Sequence, residues 1–197
     1  VLSLGLPGLL KRIKDCRQRR IESNELTDEQ KIFYDSAEIV YSAVIKFIMR
    51  LSEEAARQAH ISERMRRAEE CLKAIATRPP RTLYEAMQLV YIFHRLQEME
   101  GERVRSLGGI DRLYYPFYRN DIDNGLYTRE QEKELIKYFL NKFYAADIAF
   151  NQPLYLGGMG TDEKDAVNEL SYLILEAYDE IEVTNPKIHI RVYRNTP

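Results

Sequence analysis

The sequence predicts a mainly α-helical fold with a small parallel β component. Three observations lead there. Apolar residues recur at three- and four-residue steps through most of the chain. Thr-x-x-Gln or Thr-x-x-Glu capping signals stand at the head of three of those stretches. The tail then changes to strand, helix, strand, an order that suits a right-handed crossover between parallel strands.

The elements follow in order. Gly5–Arg20 opens with Gly-Leu-Pro-Gly and becomes a basic helix with Leu9, Leu10, Ile13 and Cys16 on one face. Thr27 and Gln30 form a capping box for a long helix running to about His60. Its apolar positions are Phe33, Ala37, Val40, Tyr41, Val44, Ile45, Ile48 and Leu51. Ser62 caps a third helix carrying Met65, Ala68, Leu72 and Ile75. Arg78-Pro79-Pro80-Arg81 is a break, because neither proline can continue a helix. Thr82 and Glu85 form a second box. The helix behind it is apolar on the consecutive positions Val90 to Phe93, which predicts burial on more than one side.

Gly101–Asn124 reads as the least regular region, with Gly108-Gly109, the aromatic run Tyr114 to Tyr118 and a turn-prone Asp121–Gly125. Thr128 and Gln131 cap an amphipathic helix bearing Leu135, Ile136, Phe139, Leu140, Phe143 and Ile148. Pro153–Gly158 reads as a short buried strand. Thr161 or Asp162 is expected to cap the last helix, with Val167, Leu170, Leu173, Ile174, Ala177 and Tyr178 on it. Pro186–Tyr193 alternates with period two, a second strand. Residues 1–150 are thus mainly helical, and 151–197 are a first βαβ unit.

The 197 residues are 45% apolar and 30% charged, which excludes a disordered chain. A formal charge of −2 gives no drive toward nucleic acid or an anionic membrane, and neither is expected as a partner. No apolar run approaches a membrane span, and no signal peptide is evident. Two cysteines are too few for a disulfide framework, so a reducing, cytoplasmic setting is expected. The chain starts at Val1 without Met and stops after a strand, at Pro197. A parallel sheet is normally continued and covered on both faces. We therefore expect a piece of a longer polypeptide.

The residues form no complete catalytic set, and no catalytic residue is assigned. His60, His94 and His189 form no His-x-x-x-His pair, so no metal site is expected. His94 reads as a hydrogen-bonded structural histidine on a buried helix. Asp121, Asp123 and Glu132 have the spacing of a calcium loop, but its required glycine position holds Leu126. Gly157-Gly158-Met159-Gly160 lacks the lysine and hydroxyl residue of a phosphate loop and reads as a turn. Cys16 and Cys71 have no neighbour that favours a thiolate.

Five segments carry a resemblance. Thr82–Leu96 (TLYEAMQLVYIFHRL), Ser106–Asp121 (SLGGIDRLYYPFYRND), Gly125–Leu135, Asn151–Leu173 and Pro186–Arg191 are similar, in order, to segments of the glycyl radical enzymes, the pyruvate formate-lyase-like family. The resemblance implies part of a ten-stranded β/α barrel. It implies an enzyme, a lyase, dehydratase or formate C-acetyltransferase-like acyltransferase. Such an enzyme cleaves a C–C or C–heteroatom bond of a small-molecule substrate by thiyl-radical hydrogen abstraction. It further implies a glycyl radical installed by an S-adenosylmethionine radical activase, no cofactor held by this chain, and a homodimer when intact. The catalytic cysteine and radical glycine of that family match nothing here, so this chain alone is expected to be inactive.

In relatives the residues just before the motif serine can line the substrate pocket. Here they are Arg103, Val104 and Arg105, and the mismatch points away from glycerol or propanediol. An arginine there suits a carboxylate. Asn151 and Gln152, entering the first strand, are the second candidate pair. Asp111 and Arg191 are expected to hold the barrel together. Gly108-Gly109-Ile110-Asp111-Arg112 departs from the family's Gly-Arg-x-Asp-Gln. A non-catalytic helical interaction domain is the alternative reading.

Overall fold

The structure is a computed structural model that describes residues 1–101, 105–146, 152–160, 164–193 and 196. It divides into two compact units, Val1–Pro80 and Arg81–Pro197.

The first unit is three helices: α1 (Gly5–Glu22), α2 (Asp28–Gln58) and α3 (Glu63–Thr77). The predicted caps form. The Thr27 hydroxyl accepts from the Gln30 amide at 3.2 Å, and Gln30 accepts from the Thr27 amide at 3.3 Å. Ser62 accepts from the Met65 amide at 3.3 Å. Ile48, Ser52 and Ala55 of α2 are buried, as are Cys71, Leu72, Ile75 and Ala76 of α3. The Ser52 hydroxyl donates to the Glu69 carbonyl at 3.2 Å and ties the two helices. Gly5 has φ +62, and a Cβ there would lie 2.8 Å from the Pro79 backbone, so only glycine fits.

One sequence reading fails in this unit. Phe33 and Val40 do not join the inward face of α2; both are exposed. The helix is apolar over more than one stripe, and a period of 3.6 cannot say which stripe faces in.

The second unit contains α4 (Leu83–Met99), β1 (Gly108–Gly109), α5 (Ile110–Asp123), α6 (Arg129–Ala145), β2 (Leu154–Gly157), α7 (Glu169–Asp179) and β3 (Ile188–Arg191). The strands form one parallel sheet in the order β1-β2-β3, with Gly108 beside Leu154 and Leu154 beside Ile188. Leu154 and Leu156 are buried, together with Leu170, Leu173 and Ile174 of α7 and Ile110 and Tyr114 of α5. Helix α4 is buried on several sides, through Leu83, Ala86, Met87, Leu89 and Ile92, as its apolar run predicts. Phe139 and Phe143 of α6 stack edge to face at 5.1 Å. Outside, Lys133 and Lys137 of α6 both pair with Glu180 beyond α7.

Four expectations are corrected here. The sheet has three strands, because the side-chain-free pair Gly108–Gly109 pairs with β2 through its backbone alone. The region read as irregular holds α5, which contains Pro116. Glycines and proline obscured a helical set, Ile110, Tyr114, Tyr118 and Asp121, that is buried. Helix α7 starts at Glu169, capped by Asn168, whose side chain accepts from Leu170 and Ser171; Val167 therefore lies outside it. Thr161 and Asp162, the expected caps, lie outside the described residues, as does Ile148. The Thr82 box is only half formed: Thr82 accepts from the Glu85 amide at 3.2 Å, but Glu85 accepts from the Arg81 amide at 2.7 Å instead.

Candidate functional site

The two ends of the sheet carry different polar clusters. Where β1 and β2 begin, the incoming segments are stitched together at one atom. The Pro153 carbonyl accepts from the Leu107 amide at 2.9 Å and from the Ser106 hydroxyl at 3.2 Å. This sets Arg105 and Gln152 side by side ahead of their strands, and both meet His94 of α4. The His94 Nε2 lies 2.7 Å from the Gln152 Oε1. Arg105 donates from Nη1 to the His94 carbonyl.

This cluster is open. His94 is buried, and its Nε2–H is committed to Gln152, so Nδ1 carries a lone pair with no partner among the described residues. Arg105 is buried too, its side chain 8% exposed, yet Nε and Nη2 have no hydrogen-bond partner there. Those two atoms form one edge of the guanidinium, the side-on fork that matches two oxygens of a carboxylate or sulfonate. The nearest carboxylate is Glu98, 3.6 Å from Nη2, which Arg95 already binds. Two guanidiniums therefore face one carboxylate. Burial holds the His94 pKa below its ordinary value, opposed by the Gln152 hydrogen bond and aided by the Arg105 charge. The imidazole is neutral and offsets neither sign.

The other end of the sheet is closed. Asp111, at the head of α5, is fully buried. Its Oδ2 accepts from the Gly157 amide at 2.7 Å and the Ser171 hydroxyl at 2.8 Å, and its Oδ1 from the Arg112 amide at 2.8 Å. The Gly157 amide is thus spent on Asp111 and is not available to a phosphate. Gly157 has φ +67, and a Cβ would meet Val167 at 3.0 Å and the Arg191 carbonyl at 3.1 Å. Arg191 lies over the Tyr155 ring at 4.3 Å. Arg112 folds its guanidinium to within 3.2 Å of where a Gly109 Cβ would be, so the arginine absent at 109 is matched by one at 112.

A third polar group is buried beneath α4. Asp121 accepts from the Leu83 amide at 2.7 Å. Glu132, fully buried on α6, is its neighbour, and burial first, then the nearby Asp121 carboxylate, push the Glu132 pKa up to about 9. Glu132 therefore keeps its proton beside Asp121, although neither of its oxygens meets a hydrogen-bond partner among the described residues. Of the three residues spaced like calcium ligands, Asp121 and Glu132 come together as an acid–carboxylate pair, while Asp123 pairs with Arg119.

Of the five sequence-predicted site residues, Arg105 and Gln152 are brought together. Arg103, Val104 and Asn151 lie outside the described residues. His94 joins them, and sequence reading assigned it no site role. Its signal was weak, a single imidazole on an otherwise apolar helix, 4.9 Å from the Phe143 ring. Cys16 is half-buried and Cys71 buried. Among the described residues no group of three or more His, Cys, Asp or Glu could hold a metal ion. No helix there is long and apolar enough to cross a membrane.

The sequence matches the pyruvate formate lyase-like family over residues 1–197. It is 31% identical to a probable dehydratase, YbiW, of Escherichia coli K12, over 98% of this chain and 27% of that protein. It is 26% identical to the isethionate sulfite-lyase of Bilophila wadsworthia, over 100% of this chain and 26% of that protein. It is 26% identical to the (2S)-3-sulfopropanediol dehydratase of Klebsiella oxytoca, over 100% and 26%. The chain spans about a quarter of the length of these relatives. Its structure is similar to that of a glycyl radical enzyme from Archaeoglobus fulgidus, with a TM-score of 0.89 and 28% identity, over 100% of this chain and 28% of that one. The hydroxyproline dehydratase of Clostridioides difficile shares the fold, with a TM-score of 0.86 at 22% identity, over 100% and 28%.

Proposed function

The chain belongs to the pyruvate formate lyase-like family, and from that premise we propose that it forms part of a glycyl radical lyase or dehydratase acting on a small organic anion. Its parallel strands would begin the family's ten-stranded barrel. The reacting cysteine and radical glycine would come from other parts of the polypeptide, so the chain alone has no turnover. The intact enzyme would work as a homodimer, charged by a radical S-adenosylmethionine activase. The cysteine's thiyl form supplies hydrogen-atom abstraction from the substrate.

The residues of this chain do the binding. The observation that carries the reading is the buried Nε–Nη2 edge of Arg105, which has no hydrogen-bond partner among the described residues and only Glu98 at 3.6 Å as a charged neighbour. It would grip the substrate's carboxylate or sulfonate in a bidentate fork. The free Nδ1 of His94 would accept from a substrate hydroxyl, and Gln152 holds the tautomer that leaves it free. Arg103, Val104 and Asn151 would complete the wall. Binding through both ends of a small molecule fixes which C–H faces the sulfur and excludes water from a substrate radical. The curated relatives support an anionic substrate: isethionate and sulfopropanediol are both sulfonates. They also favour a lyase or dehydratase over a formate acetyltransferase.

The test is anaerobic. The full-length gene product is activated, its glycyl radical is counted by electron paramagnetic resonance, and a panel of hydroxy-sulfonates, hydroxy-carboxylates and neutral diols is offered. Turnover confined to anions supports the reading. Turnover of neutral diols alone would overturn the role of Arg105. Failure to form any radical would favour a non-catalytic helical domain.

A further inference from the structure

Two carboxyl groups are enclosed where α4, α5 and α6 meet. Asp121, near the end of α5, and Glu132, in the first turn of α6, are each fully buried, and this chain alone shuts them away from solvent. Asp121 has two donors, the Leu83 amide at 2.7 Å and the Asn120 side-chain amide at 3.4 Å. Glu132 has none among the described residues. Glu85 of α4, largely buried, is a third acid facing Asp121, and Tyr118 of α5 faces Glu132. Arg119 and Arg129, whose charges reach Tyr118, are bound to Asp123, Glu169 and Glu176 instead. Two carboxylates so placed cannot both ionise while water is kept out.

Water reaches this pair most cheaply through the head of α4. The first four amides of a helix have no partner within it. At α4 the Leu83 amide depends on Asp121, and the Thr82 box is half formed because Glu85 has turned to the Arg81 amide. At α6 the Thr128–Gln131 box is complete, with bonds of 3.3 and 2.9 Å. Asn120 also holds the approach to α4, donating to the Arg81 carbonyl at 3.2 Å. Hydrating Asp121 therefore strips the Leu83 amide of its acceptor, while α6 keeps its cap. Further along, Ala86, Met87, Leu89 and Ile92 are buried and fix the rest of α4, so opening is confined to its start.

We propose that Asp121 and Glu132 form a proton-held latch on the head of α4, closed while Glu132 keeps a proton and released when that proton leaves at alkaline pH. The proton passes to solvent, and only hydrogen bonds change. In the closed form Glu132 holds its proton up to about pH 9, and in the hydrated form it loses it near its ordinary value of 4.5. Opening is thus linked to the loss of one proton, and the open population rises about tenfold per pH unit between those limits. The latch is independent of the anion site, which uses neither residue.

Hydrogen exchange of the full-length protein, read by mass spectrometry at pH 6, 7 and 8, tests the latch. After correction for the intrinsic rate, protection of segment 83–87 is expected to fall about tenfold per pH unit, while segments 129–136 of α6 and 170–177 of α7 keep theirs. Glu132→Gln is expected to remove the slope. The un-ionised carboxyl of Glu132 is also expected to give an infrared C=O band at pH 7 that Glu132→Gln lacks. Should that variant misfold, the wild-type band decides, because it must fade in step with protection as pH rises toward 9. Flat protection across 83–87, a slope that survives Glu132→Gln, or no such band at pH 7 overturns the latch. A slope shared by 170–177 makes the event global and overturns it too. A slope at 129–136 alone overturns the choice of α4.

Discussion

At the end of the sheet where the strands finish, Asp111 uses its carboxylate on three donors, and each donor belongs to a different segment. At the end where they start, the side chains of Arg105 and His94 are also largely buried but leave three polar atoms without hydrogen-bond partners among the described residues. Both clusters contain a charged group removed from water, which costs several kcal/mol per ion unless hydrogen bonds replace the solvent. The first cluster repays that cost within the fold. Among the described residues the second does not. The contrast separates a closed charge from an open one more sharply than burial does.

The largest break in this contrast is Asp111→Ala. It strands the Gly157 amide and the Ser171 hydroxyl, and we expect a loss of about 3–5 kcal/mol in urea unfolding. A loss below about 1 kcal/mol would mean that the closed network is not what holds the strand ends. Arg105→Ala should act the other way round. The unfolding free energy should change by only about 1 kcal/mol, while kcat/KM of the activated full-length enzyme falls about a hundredfold. Arg105→Lys keeps the charge, loses the fork and should recover little of that activity.

The Asp121–Glu132 pair sharpens the comparison, because burial leaves it free of a second negative charge only while it holds a proton. The Glu132 pKa rises from an ordinary value near 4.5 to about 9 on folding. The folded chain therefore binds the proton more tightly than the unfolded chain. This contribution is complete below about pH 4.5 and is lost as pH rises toward 9, at up to about 1.4 kcal/mol per pH unit. Glu132→Gln should flatten that decline in denaturation curves taken at pH 6, 7 and 8. The smallest effect is expected at His94. Its pKa is depressed by burial, so stability is present above about pH 6.5 and falls as acid forces a proton onto the ring. His94→Gln should remove that acid-side slope while costing about 1 kcal/mol or less at pH 7.

Much of the helical layout was legible because its signals are local. Thr27, Ser62 and Thr128 each sit where the hydroxyl meets the expected amide. The period-two pattern of Ile188 and Ile190 marked β3, and its pairing with β2 followed from the crossover rule. What was not legible depends on distant partners. A two-glycine strand has no side-chain pattern, so β1 is visible only through β2. Asn168 caps α7 in a sequence that offers Thr161 and Asp162 first. At the site, Arg105 and Gln152 were named by resemblance to a family. Their junction at His94 is a tertiary fact that spacing along the chain does not encode.

The shared Pro153 carbonyl has a consequence for how this end of the sheet could diversify. Arg105 and Gln152 hang from segments fastened to one oxygen, so a shift of the first displaces the second, and with it the imidazole. With the anion site as proposed, selectivity at the two positions is inherited as a block. Paired substitutions at 105 and 152 should depart from additivity well beyond the few tenths of a kcal/mol found for independent sites, and a change of preferred substrate would require both to move together.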